Sequence, residues 1–187
     1  MLRDGPFRDG PLRRKPPEEI RYGTGRCALG HVLVALSDKG IVTIMVRSKQ
    51  AQLASDLRER FPKAGLIHDE KGCASTVAKV LKYIAAPFGR FTPRLDIRGT
   101  ELQQRVWDEV RRIPIGGSST YTKIAEAIGA PKAIRAVANS CSRCWFAFAI
   151  PCHRVLHKDA AGKTGGQYRR VAYEAGLLAK NGRRVRT

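Results

Sequence analysis

The chain predicts an α+β protein: a small N-terminal α/β domain over residues 21–97, followed by a helical domain over residues 98–181. Three observations carry this. Apolar residues crowd into two β-rich runs before residue 47, then recur at helical spacing up to residue 86. From residue 100 the spacing is helical. Two short helical segments then flank a Gly-containing turn, the pattern of a helix-turn-helix.

The elements follow in order. Residues 1–20 hold Pro6, Pro11, Pro16 and Pro17 among mixed charges and read as a disordered arm. Residues 26–47 read as a hairpin. Val32, Leu33, Val34 and Leu36 form one run, Ile41, Val42, Ile44 and Val46 the other, and Ser37-Asp38-Lys39-Gly40 supplies the turn. Leu53, Leu57 and Phe61 recur at four over residues 50–61, and Pro62 ends that helix. A second helix spans 74–86, with Val77, Val80, Leu81 and Ile84 inward and Pro87 after it. Leu95-Asp96-Ile97 is a short strand candidate.

In the second half, Thr100-Glu101-Leu102-Gln103 fits a capping box, and Leu102, Val106, Val110 and Ile113 mark one helical face. Residues 121–128 form a short helix, Gly129-Ala130-Pro131 a turn, and residues 132–140 a second helix with Ile134, Val137 and Ala138 inward. Lys132 and Arg135 on this second helix favour DNA binding over an ordinary αα-corner. Residues 182–187 read as a basic frayed tail.

The 187 residues are 43% hydrophobic, enough for one large domain or two small ones. Lys and Arg total 35 against 16 Asp and Glu, a net charge of +19. Such an excess points to a polyanion, most simply nucleic acid; a basic solubilising surface is the plainer alternative. The five cysteines, Cys27, Cys73, Cys141, Cys144 and Cys152, are odd in number and irregularly spaced. The first 20 residues lack the apolar core of a signal peptide, and no apolar run reaches the length of a membrane span. Reduced thiols in a cytoplasmic protein are expected. Cys141 and Cys144 form a C-x-x-C, but no second ligand pair accompanies them, so no metal site is expected.

Ile150-Pro151-Cys152-His153-Arg154-Val155 is the most informative stretch. It sets a thiol beside an imidazole and a guanidinium, behind the apolar run Trp145-Phe146-Ala147-Phe148-Ala149. A cysteine attacks as thiolate, which a nearby base or cation favours. Cys-His-Arg alone is better read as a buried structural cysteine; the motifs before it reverse that reading.

Those motifs are Arg98-Gly99-Thr100-Glu101-Leu102-Gln103 with Val106-Trp107, then Ile113-Pro114, Tyr121, Pro131-Lys132-Ala133, and Arg135-Ala136-Val137. With the cysteine hexapeptide as the last of the ordered set, the chain resembles the O6-alkylguanine-DNA alkyltransferases from about Tyr22 to Lys180. The resemblance implies an N-terminal α/β domain followed by a winged helix-turn-helix domain. It implies a monomer that binds double-stranded DNA and flips out an O6-alkylguanine, with O4-methylthymine a further candidate. The alkyl group moves irreversibly onto Cys152, once per molecule and with no cofactor. An O6-alkyl group is enclosed in the duplex, so in-line attack requires base extrusion. By the same resemblance His153 is the base that draws the thiol proton through a water. Tyr121 helps rotate the 3′ phosphate, Arg135 enters the stack in the vacated place, and the Val155 carbonyl reads the guanine amino group. Lys132, Arg154 and Tyr168 complete the expected DNA-binding set. The helix bearing Arg135 would lie in the minor groove of a bent duplex.

Three positions depart from the family. Cys144 stands where an asparagine buttresses the turn near the nucleophile, and a thiol cannot reproduce the hydrogen bonds of an amide. Gln167 occupies the place of a tyrosine over the guanine, with Tyr168 able to serve after a one-residue shift. Asn181 replaces the glutamate that orients the histidine, with Glu174 a weak substitute. Without that carboxylate the thiol is expected to stay near its free value of about 8.5. The rival reading is an alkyltransferase-like module that recognises the lesion with weak or no transfer; retention of Cys152 favours chemistry.

Overall fold

The computed structural model describes residues 18–86, 91–115 and 117–157. The expected terminal arm up to residue 17, Gln167, Tyr168, Glu174, Asn181 and the basic tail lie outside the described residues.

Four strands form the main sheet: β1 (Glu19–Cys27), β2 (Gly30–Ser37), β3 (Gly40–Arg47) and β4 (Gly65–His68), in the order β3-β2-β1-β4. The β2–β3 hairpin lies where the apolar runs predict it. Its strands are buried on both faces, which is why they read as continuous apolar runs rather than alternating ones. Helix α1 (Gln50–Arg60) sets Leu53 and Leu57 against Leu33, Ala35, Val42 and Met45 on one face of the sheet. Helix α2 (Glu70–Ala85) covers the other face with Val77, Val80 and Ile84 against Val32, Val34, Ile44 and Val46.

In this sheet β1 and β4 escape the apolar pattern, and Glu19 and Ile20, expected in the arm, lie in β1. β1 begins at Glu19 and pairs antiparallel with β2 and parallel with β4, yet its sequence mixes charges with glycine. The glycines have a packing cause. A Cβ at Gly23 would lie 2.7 Å from Cys73 Cβ, and one at Gly25 would lie 2.8 Å from a Leu81 methyl, so they let α2 approach the strand. Helix α2 also starts earlier than residue 74, because the Asp69 side chain caps it through the Gly72 N–H at 2.8 Å.

In the second half, α3 (Glu101–Arg111) opens with the predicted capping box, Thr100 and Gln103 each bonding the other's backbone N–H. The strand pair β5 (Ser119–Thr120) and β6 (Val155–Leu156) brackets α4 (Tyr121–Ala127) and α5 (Ile134–Ser142). Gly129 turns the chain between those helices at φ +68°, the left-handed region that glycine enters without a Cβ clash. Ile134 differs from expectation. It sits in the first turn of α5, 39% exposed, while Val137, Ser140 and Cys141 form the buried stripe. One apolar cluster runs from Val32 and Ile44 of the sheet through Val106 and Trp107 of α3 to Cys152, so the core is continuous across residue 97.

Candidate active site

Cys152 opens a 3₁₀ turn over Cys152–Arg154 and is 5% exposed. The segment leading to it is buried almost throughout, from Phe146 to Pro151. It runs beside β3. Ile44 N–H donates to Trp145 O at 2.8 Å, Ala147 N–H to Ile44 O at 3.0 Å, and the Thr43 hydroxyl to Trp145 O at 2.8 Å. The N-terminal sheet therefore holds the segment that delivers the nucleophile. Phe148 adopts φ +63°, a left-handed conformation unfavourable for a bulky residue. Its ring lies 5.8 Å from that of His153. The turn closes through Cys152 N–H to Ile150 O and Arg154 N–H to Pro151 O, both 2.8 Å.

Two further thiols meet the nucleophile. Cys141, in the last turn of α5, and Cys144, just past its C-cap Arg143, act on the Cys152 thiol. All three cysteines are buried and free. Contact first with the Cys141 sulfur, then with that of Cys144, and burial push the Cys152 thiol well above its ordinary range. This exceeds the expectation of a near-free thiol, because spacing along the chain does not reveal the two extra sulfurs. Among the described residues, no group of His, Cys, Asp and Glu is arranged to hold a metal ion.

Burial, reinforced by the charge of Arg154, lowers the His153 pKa to about 4, so its imidazole is neutral near neutral pH. A neutral ring can accept a proton. The Arg154 guanidinium, expected among the DNA-binding residues, is turned inward. It is 6% exposed and donates to Ile113 O at 3.0 Å, tying the 3₁₀ turn to the end of α3. Val155 is fully buried and pairs with Ser119 across β5 and β6, which brings Tyr121 close behind the nucleophile turn. The Tyr121 ring is buried and meets His157 edge-on at 4.9 Å. Lys132 and Arg135 are exposed, Lys132 in the turn before α5 and Arg135 in its first turn. Trp107 Nε1 donates to Ser140 O at 2.9 Å and fixes α5 on α3.

Fold and site together define a helix-turn-helix protein with a shielded thiol held on a sheet-anchored turn. Residues 101–183 match the family described as 6-O-methylguanine DNA methyltransferase, DNA binding domain. The chain is 39% identical over 161 residues to the bifunctional transcriptional activator/DNA repair enzyme Ada of Escherichia coli, covering 86% of this chain and 45% of that protein. It is 32% identical over 141 residues to the constitutive methylated-DNA–protein-cysteine methyltransferase of Bacillus subtilis, covering 75% of this chain and 82% of that protein. The fold is similar to that of Mycobacterium tuberculosis OGT in complex with DNA, with a TM-score of 0.66 and 27% identity, covering 87% of this chain and 92% of that one. The chain belongs to the methylated-DNA–protein-cysteine methyltransferase family. It spans less than half the length of the Ada protein.

Proposed function

We propose that this protein repairs DNA by direct reversal, taking the alkyl group of an O6-alkylguanine in double-stranded DNA onto Cys152 in a single turnover. The observation that carries the reading is the Cys152 turn itself. Its thiol is buried and backed by apolar residues, and it shares one domain with the exposed Lys132 and Arg135 at the start of α5. Water exclusion favours attack on carbon over competing hydrolysis.

In the reaction, Cys152 loses its proton to the neutral His153, through a water. The thiolate attacks the alkyl carbon in line, the carbon–O6 bond breaks, and its electron pair returns to the guanine, which takes up a proton. A thioether on Cys152 is the stable product, so each molecule acts once and no cofactor is consumed. Arg135, in the first turn of α5, fills the place of the flipped base, and Lys132 contacts phosphate. The buried Tyr121 supports the turn from beneath while its hydroxyl steers the 3′ phosphate. The Val155 carbonyl reads the guanine amino group.

Intact-protein mass spectrometry after incubation with a duplex containing O6-methylguanine tests this. One added methyl group, mapped to Cys152 and absent from Cys152→Ala, is the expected result. Lesion binding without any mass gain would favour the recognition module instead.

A further inference from the structure

Arg154 is a buried cation without a counter-ion. It is 6% exposed, its Nη1 donates to Ile113 O, and its Nε is buried with no hydrogen-bond partner. Burial lowers its pKa, the Tyr83 side chain opposes this, and among the described residues no carboxylate pairs with it. A guanidinium withdrawn from water is costly unless an anion and further hydrogen bonds answer it.

Arg154 lines a cavity of about 610 Å³ beside the end of α3. Cavities that hold small ligands span about 300–1,000 Å³. Arg111 and Arg112 line the same space. Their carboxylate partners hold them loosely. Arg111 lies 3.7 Å from Asp108, beyond a hydrogen bond, and Arg112 bonds Glu109 at 2.9 Å with its own side chain 78% exposed. Exposed pairs of this kind contribute little. The C-terminal dipole of α3 opposes an anion here, so the three guanidiniums must outweigh it. Their planar forks match phosphate oxygens. The opposite wall is aromatic. Tyr83 and Phe91 meet edge-on at 5.1 Å, and a second cavity of about 480 Å³ shares Phe91 and Arg111 with the first. Such rings accept a planar partner. Asp108 adds a carboxylate that can accept from a sugar hydroxyl.

We propose that this cavity binds a free mononucleotide, its phosphate held by Arg154, Arg111 and Arg112 and its base set against Tyr83 and Phe91. The cavity is separate from the acceptor site, since neither Cys152 nor His153 lines it. A bound phosphate gives Arg154 the anion that the chain itself does not supply, and its oxygens offer an acceptor to the unpartnered Nε.

Calorimetric titration of the full chain with AMP, and separately with inorganic phosphate, tests this at physiological salt. One AMP should bind per chain, with phosphate at least tenfold weaker. Arg111→Gln/Arg112→Gln should weaken AMP at least tenfold, because charge-assisted hydrogen bonds are lost. Arg58→Gln/Lys63→Gln removes the same charge from α1 and the loop after it, on the sheet face opposite α2, and should leave AMP within twofold. All four of these side chains belong to exposed residues, so folding is not at stake. Photolabelling with 8-azido-AMP should mark Tyr83 or Phe91, and excess AMP should suppress the label. No AMP binding, equal weakening in the two double variants, phosphate as tight as AMP, or a label outside the cavity overturns the proposal. None of these measurements reads methyl uptake, so their failure leaves the transfer reading untouched.

Discussion

At the residue scale, the Cys152 thiol is harder to ionise than its sequence context suggests. The neighbouring sulfurs and burial both raise its pKa, so the thiolate fraction grows with pH across the neutral range and beyond. The single-turnover rate on free O6-benzylguanine should therefore climb from about pH 7 to about pH 9, where a typical free thiol would already be levelling off. Cys144→Asn removes one of the groups that raise the thiol and should move the climb to lower pH. A flat profile in the wild type would contradict this account.

His153 gives a second pH effect, on stability. Its folded pKa is about 4 against an ordinary value of 6.5, because burial disfavours the charged ring and Arg154 adds to the cost. The unfolded chain therefore binds the proton first. The stability contribution is complete above about pH 6.5 and is lost as pH falls towards 4. The loss amounts to about 3 kcal/mol at most, at 1.36 kcal/mol per pKa unit. Urea midpoints measured across this range should fall in the wild type and fall less in His153→Phe. Equal slopes would show that other groups carry the acid sensitivity.

At the element scale, the division of labour lies in α5. Its buried stripe of Val137, Ser140 and Cys141 fastens it to the core, while Arg135 in its first turn stays exposed. If Arg135 fills the stack, Arg135→Ala should slow transfer from duplex DNA by tenfold or more and leave free O6-benzylguanine within a few-fold, since only the duplex presents a vacated place. Equal losses on both substrates would point to damage to the helix itself. The exposed Ile134 beside Arg135 shows why a periodicity argument misplaced it. The first turn of a short helix extends past the core it packs on, so its apolar residue follows the register without meeting a partner.

At the scale of the whole molecule, the N-terminal sheet serves as the bench on which the nucleophile is mounted. Ile44 shows this: its backbone bonds both Trp145 and Ala147, and its side chain is fully buried. Ile44→Ala should cost about 2–4 kcal/mol, the range for emptying a packed aliphatic site. It should also slow transfer to the free base at temperatures where the protein stays folded. Loss of stability with an unchanged rate would separate the sheet from the chemistry. The net charge of +19 acts over the same scale. Duplex affinity should fall steeply and linearly on a log–log plot against salt, and transfer to the uncharged free base should change little. A shallow salt slope would argue that few phosphates are contacted.

The amino-acid sequence by itself determined the elements whose cause is local. The Thr100 capping box, the Gly129 turn, the paired apolar runs of β2 and β3 and the Pro151-Cys152-His153-Arg154 motif are all readable from neighbours in the chain, because each depends on residues a few positions apart. Only the tertiary structure decided the rest. β1 stayed hidden because Gly23 and Gly25 answer to the approach of α2, not to any strand preference of their own. The inward turn of Arg154 was equally hidden, because a cation in a basic chain looks solvent-bound until Ile113, 41 positions away, is seen to accept from it. The crowding of Cys141, Cys144 and Cys152 depended on the Trp145–Ile150 segment folding back along β3. A pKa is set by what surrounds a group in space, and spacing along the chain carries no record of that until the fold brings the sulfurs together.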